Sequence, residues 1–230
     1  DKLNEGRVVV RRAVPGERIT TIDGSTHELR DDMLVIADAS VPVAVAGVMG
    51  GRDTEVSETT TTVLLESARF DPVSIRHTSR RLGLLSDSSY RFERGIDPAG
   101  VDWASRRATR LITELAGGTA APGVIDVGTA PPEPVEVTLR LSRFVRLMGI
   151  PIEPGRAHDI LVGLGLTCIR RGADEMTFRI PSWRADLTRE ADLIEEVARI
   201  HGYDKVPGRP NLTLPVASPD RHRLLCDRVS

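Results

Sequence analysis

Aromatic side chains are scarce: Phe, Trp and Tyr together make up 3% of the chain. Its cores must therefore rest on Val, Leu, Ile and Ala. Cysteine is nearly absent too. Cys168 and Cys226 have neither a metal-ligand nor a redox spacing, so they read as reduced thiols of a cytoplasmic protein rather than as a disulfide framework. Excess charge is missing, the formal net being −2. A chain that grips nucleic acid by itself is usually basic, so any RNA contact has to be local or shared with other parts of an assembly. No apolar run reaches the roughly 20 residues that span a bilayer, and no secretory segment opens the chain. A P-loop is absent, which excludes a nucleotide site of that type. There is no initiator Met; the chain runs from Asp1-Lys2-Leu3 to Arg228-Val229-Ser230, and we expect a piece of a longer protein.

What is present is ordinary for a globular protein: 230 residues, 40% hydrophobic and 28% charged, enough for one large or two small domains. Short β-branched runs predict strands at Arg7 to Arg12, Met33 to Ala37 and Val41 to Ala46. A hairpin is predicted with Arg18 to Ile22 and His27 to Leu29 flanking the turn Asp23-Gly24. A Gly-rich turn (Gly47, Gly50, Gly51) follows, and Val63 to Glu66 reads as the next strand. Asp71-Pro72 joins an N-cap acceptor to the residue best suited to the first helical position, so a helix should run to Leu82 and stop at Gly83. Asp97-Pro98 repeats that signal. Its helix places Val101, Ala104, Ala108, Leu111, Ile112 and Leu115 on one face and ends at Gly117-Gly118. Between the two helices, Ser86-Asp87-Ser88-Ser89 reads as a loop. Val124 to Val127 reads as a short strand.

The Pro-rich segment from Thr129 to Pro134 is the best linker in the chain. Beyond it we expect a strand over Val135 to Leu141, helices over Arg143 to Met148 and Pro154 to Leu164, and a hairpin of Leu166 to Arg170 with Met176 to Ile180. A last helix is expected over Thr188 to Ile200. The fold class is therefore mixed α+β. A β-rich layer with covering helices occupies residues 1–130, a small winged-helix-like α+β domain occupies 135–208, and 209–230 form a tail or the start of another domain.

Two constellations carry chemistry. The first is Gly47 and Gly50 with Glu66, a carboxylate at the end of a Val-Leu run that should be half-buried and must find partners. A pocket of backbone amides and one acid fits these residues; so does a tight turn with Glu66 capping a neighbouring amide. The second is acidic. Asp192, Glu195 and Glu196 share one helical face, and Asp186 lies just before it. A hard cation such as Mg²⁺ would reconcile these charges. A solvated helix start, with Arg199 pairing to Glu195, would do so as well. Arg76, Arg80, Arg81, Arg91 and Arg94 suit a solvated face, nucleic-acid phosphates or a partner subunit. His27 and His77 read as surface residues, no Ser–His–Asp set is apparent, and Trp183 is expected to pack where the hairpin meets the last helix.

The stretch from Val45 to Pro98 resembles the third/fourth domain of the beta subunit of bacterial phenylalanine–tRNA ligases. PSWRADLTREADLIEEVARIHGYDKVP, from Pro181 to Pro207, resembles that family's fifth-domain signature. The resemblance covers nearly the whole chain. It implies hydrolytic editing of tyrosine wrongly attached to the phenylalanine tRNA. The tyrosine hydroxyl would be read by the Gly47 backbone and the Glu66 carboxylate, with Gly50 in the same wall and Ser86 and Ser88 in the pocket. Ser88 departs from the family's usual alanine, adding a hydroxyl that either crowds the pocket or bonds the ligand. The water-positioning residues would precede Asp1, which leaves the fragment alone a poor editor and inactive in charging. The resemblance further implies Mg²⁺ at Asp186, Asp192, Glu195 and Glu196, ATP on a partner alpha subunit, tRNA as substrate and an α2β2 tetramer. A non-catalytic module that scaffolds the subunit and contacts nucleic acid is the competing reading.

Overall fold

The computed structural model describes residues 2–208, so the segment expected over 209–230, with Cys226, lies outside the described residues. The described residues divide into two units, one of residues 2–136 with 179–188, the other of 137–178 with 189–208.

In the first unit β1 (Val9–Arg12), β4 (Leu34–Ala37), β5 (Pro42–Val45) and β6 (Met49–Gly50) form an antiparallel sheet in the order β1-β4-β5-β6. The expected hairpin is β2 (Arg18–Thr20) paired with β3 (Thr26–Glu28), Ile19 facing His27. Helix α1 (Pro72–Leu82) starts and stops where its signals stand. The Asp71 carboxylate accepts from the Ser74 amide at 2.7 Å, and Gly83 closes the helix with φ 67°. Ile75 of α1 joins Ile19, Leu29, Met33, Val35, Val45, Val48 and Leu84 in one core, with Phe70 and Phe92 packed against it. Aliphatic cores were expected and are found, yet the largest fully buried side chains among the described residues are Phe144 and Phe178. The few aromatics divide sharply: the four phenylalanines turn inward, while Trp103, Trp183, Tyr90 and Tyr203 are exposed.

Several expectations fail in this unit. Ser86 to Ser89 is not a loop but leads α2 (Asp87–Phe92), because Ser86 and Ser89 form a capping box. Helix α3 (Gly100–Ala116) forms and ends at Gly117, but begins after Ala99 without a side-chain cap, and none of its residues is buried among the described residues. Neither Val63 to Glu66 nor Val124 to Val127 is a strand, and Val63, Leu64 and Leu65 are exposed. An apolar run states a demand for burial; a strand also needs a hydrogen-bonded neighbour, and these runs are paired in none of the sheets.

The second unit follows the expected order of elements. Strand β7 (Glu136–Arg140) leads into α4 (Leu141–Met148) and α5 (Pro154–Gly163). The hairpin β8 (Thr167–Arg171) and β9 (Glu175–Arg179) and the helix α6 (Glu190–His201) follow. Its three strands are ordered β7-β9-β8. Val137, Leu139, Phe144, Leu161, Phe178, Leu193 and Val197 are buried. Glu190, in the first turn of α6, accepts from the Arg140 guanidinium at 2.6 Å and lies 3.3 Å from Arg143. These bonds hold the Glu190 carboxyl below its ordinary range and tie α6 to β7 and α4.

Candidate functional site

The site is built on the connection between β5 and β6. The Val48 amide donates to the Val45 carbonyl at 3.0 Å, closing a β-turn with Gly47 in its third position at φ 66°. Ala46 has no positive φ, so the turn is of type II, which calls for glycine at that place. Packing gives a second reason. A Cβ on Gly47 would lie 2.8 Å from Ile75 Cδ1 and 2.8 Å from Phe70 Cδ2. Phe70 and Ile75 occupy the position before the α1 cap and the fourth helical position, the two places of a hydrophobic staple. The Gly47 amide itself donates to nothing among the described residues. It is a half-buried donor left over by the turn, of the kind a folded chain seldom keeps without a use.

The first turn of α2 lies against this connection. The Ser86 hydroxyl donates to the Val48 carbonyl at 2.6 Å and accepts from the Ser89 amide at 3.0 Å. The Ser88 hydroxyl donates to the Gly47 carbonyl at 3.1 Å. The structure thus brings together Gly47, Ser86 and Ser88. Gly50 behaves differently from the turn residue expected. It is a strand residue opposite Ala44 without positive φ, and a Cβ there would meet only Ile22 Cγ2 at 3.9 Å. Close approach is required instead at Gly51, where a Cβ would lie 2.7 Å from the Val43 carbonyl oxygen.

Glu66 lies in the irregular segment before α1 and, contrary to expectation, bonds to nothing among the described residues. The residue is exposed as a whole, yet burial pushes its carboxyl above the ordinary glutamate range. The exposure is that of the whole residue, whereas the shift reflects the protein atoms around its carboxyl. The result is an acceptor with no internal donor, in the same unit as an amide with no internal acceptor.

The acidic constellation is bound up with arginines. Arg184 lies 2.7 Å from Asp186 and holds its carboxyl below the ordinary range. Asp192 accepts from the Arg189 amide at 2.8 Å and faces its guanidinium at 3.3 Å. Glu196 is buried and pairs with Arg199 at 2.9 Å, three residues on, in place of the Arg199–Glu195 pair expected four apart. Among the described residues no group of three or more His, Cys, Asp or Glu side chains is placed to hold a metal ion. Asp186 belongs to the first unit, and Asp192, Glu195 and Glu196 to the second.

The other candidates are quickly placed. Arg81 pairs with Asp32, and Arg94 with Glu93 while lying 3.5 Å over the Tyr90 ring, so both are engaged within the fold. His77 is on the surface as expected. His27 is not: it is half-buried with Nε2 unpartnered among the described residues. Trp183 is 55% exposed rather than packed. The residues overlooked in the sequence are Phe70 and Ile75, although the staple positions around Asp71-Pro72 were a usable signal. Among the described residues no helix is long and apolar enough to cross a membrane.

The model of the B3/4 domain matches residues 1–117, and that of the tRNA synthetase B5 domain matches residues 137–203. The chain is 50% identical over 222 residues to a protein of Rhodopirellula baltica named phenylalanine–tRNA ligase beta subunit, covering 96% of this chain and 32% of the relative. It is 51% identical over 215 residues to the protein of the same name from Moorella thermoacetica, covering 94% of this chain and 26% of that one. The chain thus spans between a quarter and a third of the relatives' length. A crystal structure of an N-terminal fragment of the phenylalanyl-tRNA synthetase beta subunit from Pyrococcus horikoshii is similar over 86% of this chain and 56% of that one. Its TM-score is 0.43 at 12% identity, a likeness too slight to carry weight.

Proposed function

For a chain that belongs to the phenylalanine–tRNA ligase beta-subunit family through its B3/4 and B5 domains, we propose that the first unit reads the side-chain hydroxyl of tyrosine misattached to the phenylalanine tRNA, so that its ester is hydrolysed. The observation that carries this reading is a complementary pair of groups left unused among the described residues, the Gly47 amide and the Glu66 carboxyl. A phenolic hydroxyl both donates and accepts. It would accept from the Gly47 amide and donate to Glu66, satisfying each.

Selectivity then follows from desolvation. With a phenylalanyl group in place, both polar groups would be covered and left without partners. A site built to bond a hydroxyl rejects the analogue lacking it by roughly 10⁴-fold. The correctly charged tRNA is spared for that reason. The chain's own residues act here by binding and orienting. Hydrolysis requires a positioned water, and no nucleophile–base pair in this chain is assigned to it.

Family membership also supports a wider proposal. The longer subunit would work with an alpha subunit in an α2β2 tetramer that charges tRNA with phenylalanine, ATP being bound by the alpha subunit. Mg²⁺ at Asp186, Asp192, Glu195 and Glu196 stays a proposal that needs Arg184, Arg189 and Arg199 to release these carboxylates. Titration of Mg²⁺ against an Asp192→Asn, Glu195→Gln variant by calorimetry tests it.

The experiment for the main reading is deacylation of tyrosyl-tRNA by the intact ligase, wild type against Glu66→Ala, with phenylalanine charging as control. Loss of tyrosine release with charging intact is the expected result. Equal release by both forms overturns it and favours the non-catalytic scaffolding module.

A further inference from the structure

Resting on that editing reading, we infer that Ser88 is a positioning residue for Gly47, and that its hydroxyl sets how strictly the site demands a hydroxyl on the ligand. The Ser88 hydroxyl does not donate to a ligand in this arrangement, because its single proton is committed to the Gly47 carbonyl at 3.1 Å. Two residues earlier, Ser86 commits its proton to the next carbonyl, Val48, at 2.6 Å. Successive carbonyls of the β5–β6 turn are thus held by hydroxyls from one turn of α2.

The consequence falls on the amide that reads the ligand. Phe70 and Ile75 press on Gly47 from the side a Cβ would occupy and keep it at φ 66°. The Ser88 bond fixes where its carbonyl points. Together these contacts hold the glycine on both sides of its Cα, so the Gly47 amide is aimed before a ligand arrives. Preorganised donors discriminate better than donors that must be ordered on binding. Ser86 cannot substitute for Ser88, since its proton is spent on Val48 and its oxygen accepts from Ser89.

A neutral hydrogen bond of this kind changes an equilibrium by about two- to tenfold. That is the size of effect expected, a tuning of selectivity and not its origin. Ser88 is half-buried and its hydroxyl makes this one bond, so the fold should accept Ser88→Ala. Ser88→Thr keeps the hydroxyl.

The test uses the intact ligase with this chain inside its full-length beta subunit. Deacylation of tyrosyl-tRNA and of phenylalanyl-tRNA is measured for wild type, S88A, S88T and E66A, with charging used to count assembled enzyme. We expect kcat/KM for the tyrosyl ester to fall about two- to tenfold in S88A and to recover in S88T. The slow phenylalanyl reaction should stay unchanged, so that the ratio of the two narrows. A ratio unchanged in S88A while E66A collapses overturns the role of Ser88 and leaves the editing reading standing. An S88T variant that falls as far as S88A also overturns it, since the hydroxyl would not be the cause. If E66A retains tyrosine release, the editing reading itself has failed, and the inference with it.

Discussion

Substituting alanine at each of three neighbouring glycines should cost very different amounts, and the differences can be worked from the structure. At Gly47 the new side chain must adopt φ 66°, which costs about 1–2 kcal/mol for an L-residue. Its Cβ would also lie 2.8 Å from both Ile75 Cδ1 and Phe70 Cδ2. Those atoms belong to side chains that can shift within a packed core, at about 1–3 kcal/mol. The total for Gly47→Ala is about 2–5 kcal/mol. Gly50→Ala meets only Ile22 Cγ2 at 3.9 Å, an ordinary contact, with no positive φ. Removing a strand glycine there gains about 0.5–1 kcal/mol. Gly51→Ala meets the Val43 carbonyl oxygen at 2.7 Å, a backbone atom that cannot swing aside, and it should disrupt the Gly51–Val43 hydrogen bond. Because the chain has two units, one global unfolding energy would mix their responses. Hydrogen exchange at the amides of β4 and β5 isolates the first unit. Gly47→Ala should lower protection there at least roughly seventyfold below Gly50→Ala, about 2.5 kcal/mol. Protection within a factor of about two for the pair would refute the steric reasoning.

Two carboxyls make opposite predictions with pH. Asp38 is buried and accepts from the amides of Val41 at 2.8 Å, Ser40 at 2.7 Å and Asn4 at 3.1 Å, which hold its carboxyl below the ordinary range. Its stabilisation is therefore complete above the unfolded value of about 4 and is lost as pH falls through the folded one. In urea unfolding the gap between wild type and Asp38→Asn should stay constant from neutral pH down to about 5 and close in stronger acid; a gap that widens in acid contradicts this. Glu66 is pushed the other way by burial. If its ionised form accepts the ligand hydroxyl, tyrosine release should rise with pH along a limb lying above the usual glutamate value, and Glu66→Gln should flatten that limb. The same variant should unfold later than wild type at neutral pH, where the unpartnered charge is a cost, and no differently once both are uncharged. An acid limb retained in Glu66→Gln would assign the titration to another group.

Much of this protein was legible from local chemistry. Asp71-Pro72 and Gly83 fixed α1 to the residue because caps and stops act within a few positions. Asp23-Gly24 announced its hairpin, and the second unit's order of elements followed from periodicity. Family motifs, being contiguous, were readable for the same reason. Local signals misled where the answer depended on distant partners. Val63 to Leu65 has the composition of a strand yet pairs with none, and the apolar stripe of α3 is regular yet uncovered among the described residues. The site divides in the same way. Gly47, Glu66, Ser86 and Ser88 could be named in sequence. Only tertiary structure decided that the Ser88 proton is spent on the Gly47 carbonyl, that Phe70 and Ile75 close on Gly47, and that Glu66 is crowded but unbonded. Hydrogen bonds between residues about forty positions apart, like the burial that shifts a carboxyl, exist only once the chain has closed on itself.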